Sequence, residues 1–72
     1  MDREEFEKEI AFAKASQSVA ESIEVESMED INLQMAYHDA TFDALLAAQE
    51  MLDKQNGTNL AQIMRDAKAK RA

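Results

Sequence analysis

Three groups of residues in this 72-residue chain are of types that do chemistry. The first is the stretch QMAYHDATFDALLAAQ, residues 34–49, with the only histidine, His38, the only tyrosine, Tyr37, and Asp39 and Asp43 one helical turn apart. An imidazole near carboxylates could serve as a general base or a metal ligand. The spacing supports neither. Three residues before His38 stands Met35 and four after it Phe42, so neither Glu-x-x-His nor His-x-x-x-His exists. On a helix Asp39 projects about 100° away from His38, and no Ser, Lys or Cys lies one turn from it on its face. His38 is therefore expected to be a packed or interface residue, its functional alternative being a pH-sensitive mark in a contact surface.

The second group is acidic: Glu4, Glu5, Glu7 and Glu9, then Glu21, Glu24, Glu26, Glu29 and Asp30. Net charge is −7, and residues 1–30 carry all of it, with ten acids against three bases, while residues 31–72 hold five of each. Such a surface could imitate a phosphate backbone toward a DNA-binding protein, and it would repel nucleic acid itself. Helix-dipole and solubility effects also place acids at helix starts without any ligand. No Asp-x-Asp-x-Asp-Gly loop is present to suggest calcium.

The third group is basic: Arg65, Lys68, Lys70 and Arg71 follow a turn at KQNGTNL. This arrangement loosely resembles a helix-turn-helix with residues 59–70 as recognition helix, and it departs from that pattern at Thr58 and Asp53. Lys and Arg at a helix end also complement its dipole. One glycine cannot build a phosphate-binding loop, and the absence of cysteine excludes disulfides and thiolate metal sites. No catalytic residue, metal ligand or cofactor site is assigned, and the chain is not expected to be an enzyme.

The elements that carry these groups are helical. There is no proline, and Ala, Glu, Gln, Leu, Met and Lys dominate. Asp2 with Glu5, and Ser27 with Asp30, have the spacing of helix N-caps and their capping-box partners. These signals predict a helix over about 3–24 and a second over about 28–55. Gly57 is the expected stop, in the left-handed conformation that other residues resist, and Thr58 the expected cap of a third helix over about 59–70. The third helix is expected to turn Leu60, Ile63, Met64 and Ala67 inward. The first presents Phe6, Ile10, Ala13 and Ala20 on one side and Phe12, Val19 and Ile23 on an adjoining one, roughly half its circumference.

The strongest periodicity lies in the second helix. Met28, Ile31, Met35, His38, Phe42, Leu45, Gln49 and Leu52 alternate spacings of three and four, a heptad a/d register with two polar members, His38 and Gln49, that could fix register or oligomeric state. A second stripe, Leu33, Ala36, Ala40, Ala44, Ala47 and Met51, projects elsewhere and is mostly small. Asn32, Asp39, Asp43 and Glu50 form a charged strip between the two.

These observations predict one all-α domain over residues 1–72, a long helical hairpin plus a short C-terminal helix, pairing into a dimeric helical bundle. So small a chain buries a limited share of its surface, and without disulfides it needs idealised packing or self-association. The expected interface combines the heptad positions with Ala36, Ala40, Ala44 and Ala47. Five methionines suit an adaptable contact surface. The N-terminus lacks the apolar core of a signal peptide, and no apolar run reaches the roughly 18 residues of a membrane span. The expectation is a cytoplasmic homodimer that regulates or inhibits an unidentified protein partner, by analogy of size and acidity with phage- or plasmid-encoded modulators. Glu21, Glu24, Glu26, Glu29 and Asp30 are its candidate partner surface. The alternatives are a DNA-mimicking inhibitor and a DNA-binding regulator using the third helix.

Overall fold

Each helix begins and ends where a local backbone group finds a partner. A computed structural model describes residues 1–71 as three helices, α1 Arg3–Ser22, α2 Met28–Asn56 and α3 Leu60–Arg71. The Asp2 carboxylate accepts from the Glu5 amide at 3.2 Å and starts α1. At the α1–α2 elbow the Ser27 hydroxyl accepts from the Asp30 amide at 3.3 Å, and the Asp30 carboxylate reaches back to the Glu26 amide at 3.0 Å. α1 ends two residues before the expected 24. Ala20 supplies the carbonyl there, taking the Ile23 amide and, from across the hairpin, the Gln34 side-chain amide at 2.9 Å. α2 runs unbroken through Asp39 and Thr41; the Thr41 hydroxyl donates to the Tyr37 carbonyl inside the helix, at 3.0 Å, instead of capping a new one. Gly57 ends α2 with φ 67°, and a side chain there would meet only the conformational penalty, since nothing lies within 4 Å of its Cβ position.

The hairpin closes on small residues. Ala13, Ser16 and Ala20 of α1 are buried against Thr41, Ala44 and Ala48 of α2, with Gln34 and Tyr37 half-buried on the same α2 ridge. This ridge, 34–37–41–44–48, is a third stripe running between the two that the sequence singled out. Side chains of one to three heavy atoms let two helix axes approach toward the short end of the usual 8–10 Å. Ala44 therefore belongs to the intramolecular contact and not to an oligomer interface. Burial is complete on this ridge only where its side chains are small, at Thr41, Ala44 and Ala48.

α3 docks on the opposite side of α2, over the charged strip. Ala61 is its only buried residue, while Leu60 and Ile63, expected inward, are 50% and 64% exposed and Ala67 is exposed too; Met64 is half-buried. The docking is polar at its edge: Arg65 pairs with Glu50, and Lys68 lies 3.4 Å from Asp43 and 5.0 Å from the centre of the Phe42 ring. The charged strip is thus partly a helix-docking surface, because oppositely charged side chains on α3 match it at Asp43 and Glu50.

α1 and α3 flank α2 without touching each other, and the molecule measures 44 × 29 × 11 Å. A thickness of 11 Å holds one layer of helices; two layers with axes 8–10 Å apart would exceed it. The radius of gyration is 13.9 Å against about 11 Å for a compact domain of this length. No large side chain among the described residues is fully buried. No helix is long and apolar enough to cross a membrane among the described residues.

Candidate functional site

A single layer has two broad faces. With α1 and α3 on opposite edges of α2, the helical phase of about 100° per residue turns the heptad register to one face and the alanine stripe to the other. On the heptad face Met28, Met35, His38 and Leu45 are exposed, Met28 by 69% and Met35 by 58%, and Ile31, Phe42, Gln49 and Leu52 are half-buried. On the alanine face Leu33 and Ala36 are exposed and Ala40, Ala47 and Met51 half-buried, with Phe12 and Val19 of α1 exposed beside them.

The heptad face is hollowed at its middle. A trough of about 710 Å³ runs along Met35, His38, Phe42 and Leu45, with Gln17 of α1 on one wall and Lys68 and Arg71 of α3 on the other. Its floor is apolar and its charged members, Asp39, Lys68 and Arg71, stand at the α3 side. His38 is exposed there, sharing the trough with Thr41 and Lys68; no group of three or more His, Asp and Glu among the described residues could hold a metal ion. The arrangement offers an apolar contact surface with one imidazole in it.

Gln49 stands at an apolar register position for a reason the heptad reading missed. Its side-chain amide donates to Asp53 at 3.0 Å, and Asp53 also accepts from the Thr58 hydroxyl and from the backbone amides of Leu60 and Ala61, at 3.2 and 2.8 Å. Asp53, one turn before the end of α2, is therefore the cap of α3. Thr58, expected in that role, is instead a donor to it. The Thr58 hydroxyl, with the amides of Ala61, Gln49 and Leu60 behind it, outweighs partial burial and lowers the Asp53 carboxyl from 3.8 to about 2. The sequence signal was the D-x-x-x-G-T spacing, which puts a carboxylate within reach of the next helix's free amides.

The α1–α2 elbow carries its acids mostly on the surface. Glu21, Glu24, Glu26 and Glu29 are exposed, and none of the ion pairs among the described residues involves them; Glu21 accepts from the Gln17 amide at 3.0 Å. Asp30 is half-buried and occupied with capping, which removes it from any free acidic surface. Two of the four basic residues of α3 are likewise engaged, Arg65 with Glu50 and Lys68 with Asp43.

Comparison with protein-family models, with curated proteins and with solved structures gives no match.

Proposed function

We propose that this chain is a small helical interaction protein that works by self-association and by binding another protein, as a regulator or inhibitor, and not as an enzyme. One observation carries the reading. The layer buries only small side chains between α1 and α2, yet leaves Met35, Leu45, Leu60 and Ile63 at 41–64% exposure. Apolar side chains of this size contribute stability of roughly 1.5–3 kcal/mol each when fully buried, and the monomer leaves that contribution unused. A second layer supplies what the first lacks. DNA contact by α3 has weaker support, because two of its cations already bind α2.

Sedimentation equilibrium of the full chain at micromolar concentration tests the self-association. A dimer is the expected species. A folded monomer, helical by circular dichroism, would remove this reading.

A further inference from the structure

The heptad face, with the trough at its centre, is the surface on which a second copy fits best. We infer that two chains pack these faces together with their α2 helices antiparallel, about a two-fold axis between His38 and Phe42; this rests on the self-association proposed above and assigns its surface and direction.

The area matches. The chain exposes 5401 Å², about 900 Å² more than the roughly 4,500 Å² expected of a compact monomer of 8.1 kDa. A standard interface buries about 800 Å² on each partner, and a 44 × 29 Å face is large enough to supply it. The heptad face is the better of the two because its apolar surface crosses from α2 onto α3. Helical phase turns Leu60 and Met64 to the side where Arg71 lines the trough, whereas on the other face α3 presents Gln62, Arg65 and Ala69.

Direction follows from charge and shape. The elbow, residues 21–30, holds five acids and no base. Parallel pairing would lay two elbows on each other, ten acids together; antiparallel pairing sets them at opposite ends, beyond the Debye length of about 10 Å at 0.1 M salt. Parallel pairing would also set His38 against His38 and Gln49 against Gln49. The antiparallel arrangement sets the partner's Phe42 across from His38 and the partner's Ile31 across from Gln49, so that no layer is polar on both sides. Shape agrees. α3 covers α2 from Asp53 back to Asp43 and stops, leaving the Met28–Asp39 half bare along that edge. A two-fold axis crossing α2 keeps the partner's α3 on the same edge at the other end, over the bare half. The basic ends of the two α3 helices then meet near the axis, where Asp39 and Asp43 of both copies balance them; Lys68 is already within 3.4 Å of Asp43.

The chain has no cysteine, so single cysteines report the pairing directly. Met28→Cys and Leu52→Cys proteins are mixed in equal amounts and oxidised gently. Antiparallel pairing puts each Met28 position across from the partner's position 52, and about 36 Å along the helix from the partner's own position 28, far outside disulfide reach. The mixed disulfide is expected in at least tenfold excess over either homodisulfide. Met35→Cys with Leu45→Cys gives the same result nearer the axis and serves if an end variant folds poorly. Predominant homodisulfides at position 28 would overturn the antiparallel direction. A sedimenting dimer that forms none of these disulfides would overturn the choice of face while leaving self-association standing. A monomer in sedimentation would remove both.

Discussion

Asp53 joins two helices with one carboxylate. It sits in the last turn of α2, where a negative charge is opposed by the helix dipole, and at the first turn of α3, where the dipole favours it. Four donors around it decide the balance, and the carboxyl is held at about 2. A depressed folded pKa contributes stability that is complete above the unfolded value near 4 and lost as pH falls toward 2. α3 should therefore loosen between pH 4 and pH 2 while the α1–α2 hairpin persists. Asp53→Asn, which keeps an acceptor oxygen but cannot titrate, should abolish that step. Asp53→Ala should speed amide exchange at Leu60 and Ala61 about fivefold at neutral pH, the usual effect of removing a helix cap. Exchange in Asp53→Ala equal to that of the unaltered chain would show that α3 is held by its packing alone.

At the scale of elements, the hairpin depends on small buried residues. Ala44 is 3% exposed and Ala48 the same, and both are buried on the side of α2 that packs on α1. Ala44→Leu should separate the two helices and destabilise the chain by about 1–3 kcal/mol, read as a lower midpoint in urea unfolding. Ala36→Leu, on the exposed face of the same helix, should move the midpoint little. An unchanged midpoint for Ala44→Leu would mean that α1 and α2 pack through other positions. The same residues explain what was legible in the sequence. Caps at Asp2 and Ser27, the glycine stop and the helical composition are local signals, so helix existence and approximate ends could be read from them. Which stripe of α2 faces α1 could not, because the ridge that does so, Gln34, Tyr37, Thr41, Ala44 and Ala48, is half polar and carries no apolar period. The heptad stripe and the alanine stripe are the two that periodicity marks, and both were assigned to an oligomer interface; α1 packs on the ridge between them, at Thr41, Ala44 and Ala48. Likewise Leu60 and Ile63 seemed the inward residues of α3, and the polar contacts of Arg65 and Lys68 with α2 rotated the helix away from them.

At the scale of the molecule, a single layer 11 Å thick has almost no interior, and its stability must come from somewhere other than a side-chain core. Hairpin contacts between alanines bury little apolar area, and the four ion pairs among the described residues are largely exposed, worth at most about 1 kcal/mol each. If the second layer is another copy, folding and association are one event, and the unfolding midpoint depends on concentration by mass action. Each tenfold dilution removes about 1.4 kcal/mol from the dimer, which lowers the midpoint of a 144-residue assembly by about 3–6 °C. Thermal unfolding followed by circular dichroism from 1 to 100 micromolar should therefore shift by two such steps. Leu45→Glu on the heptad face should unfold the chain at the low end of that range, whereas Phe12→Glu on the alanine face, 57% exposed, should leave the midpoint nearly where it was. A midpoint independent of concentration would mean that the layer is stable by itself, and that its exposed methionines and leucines await a different protein rather than a second copy.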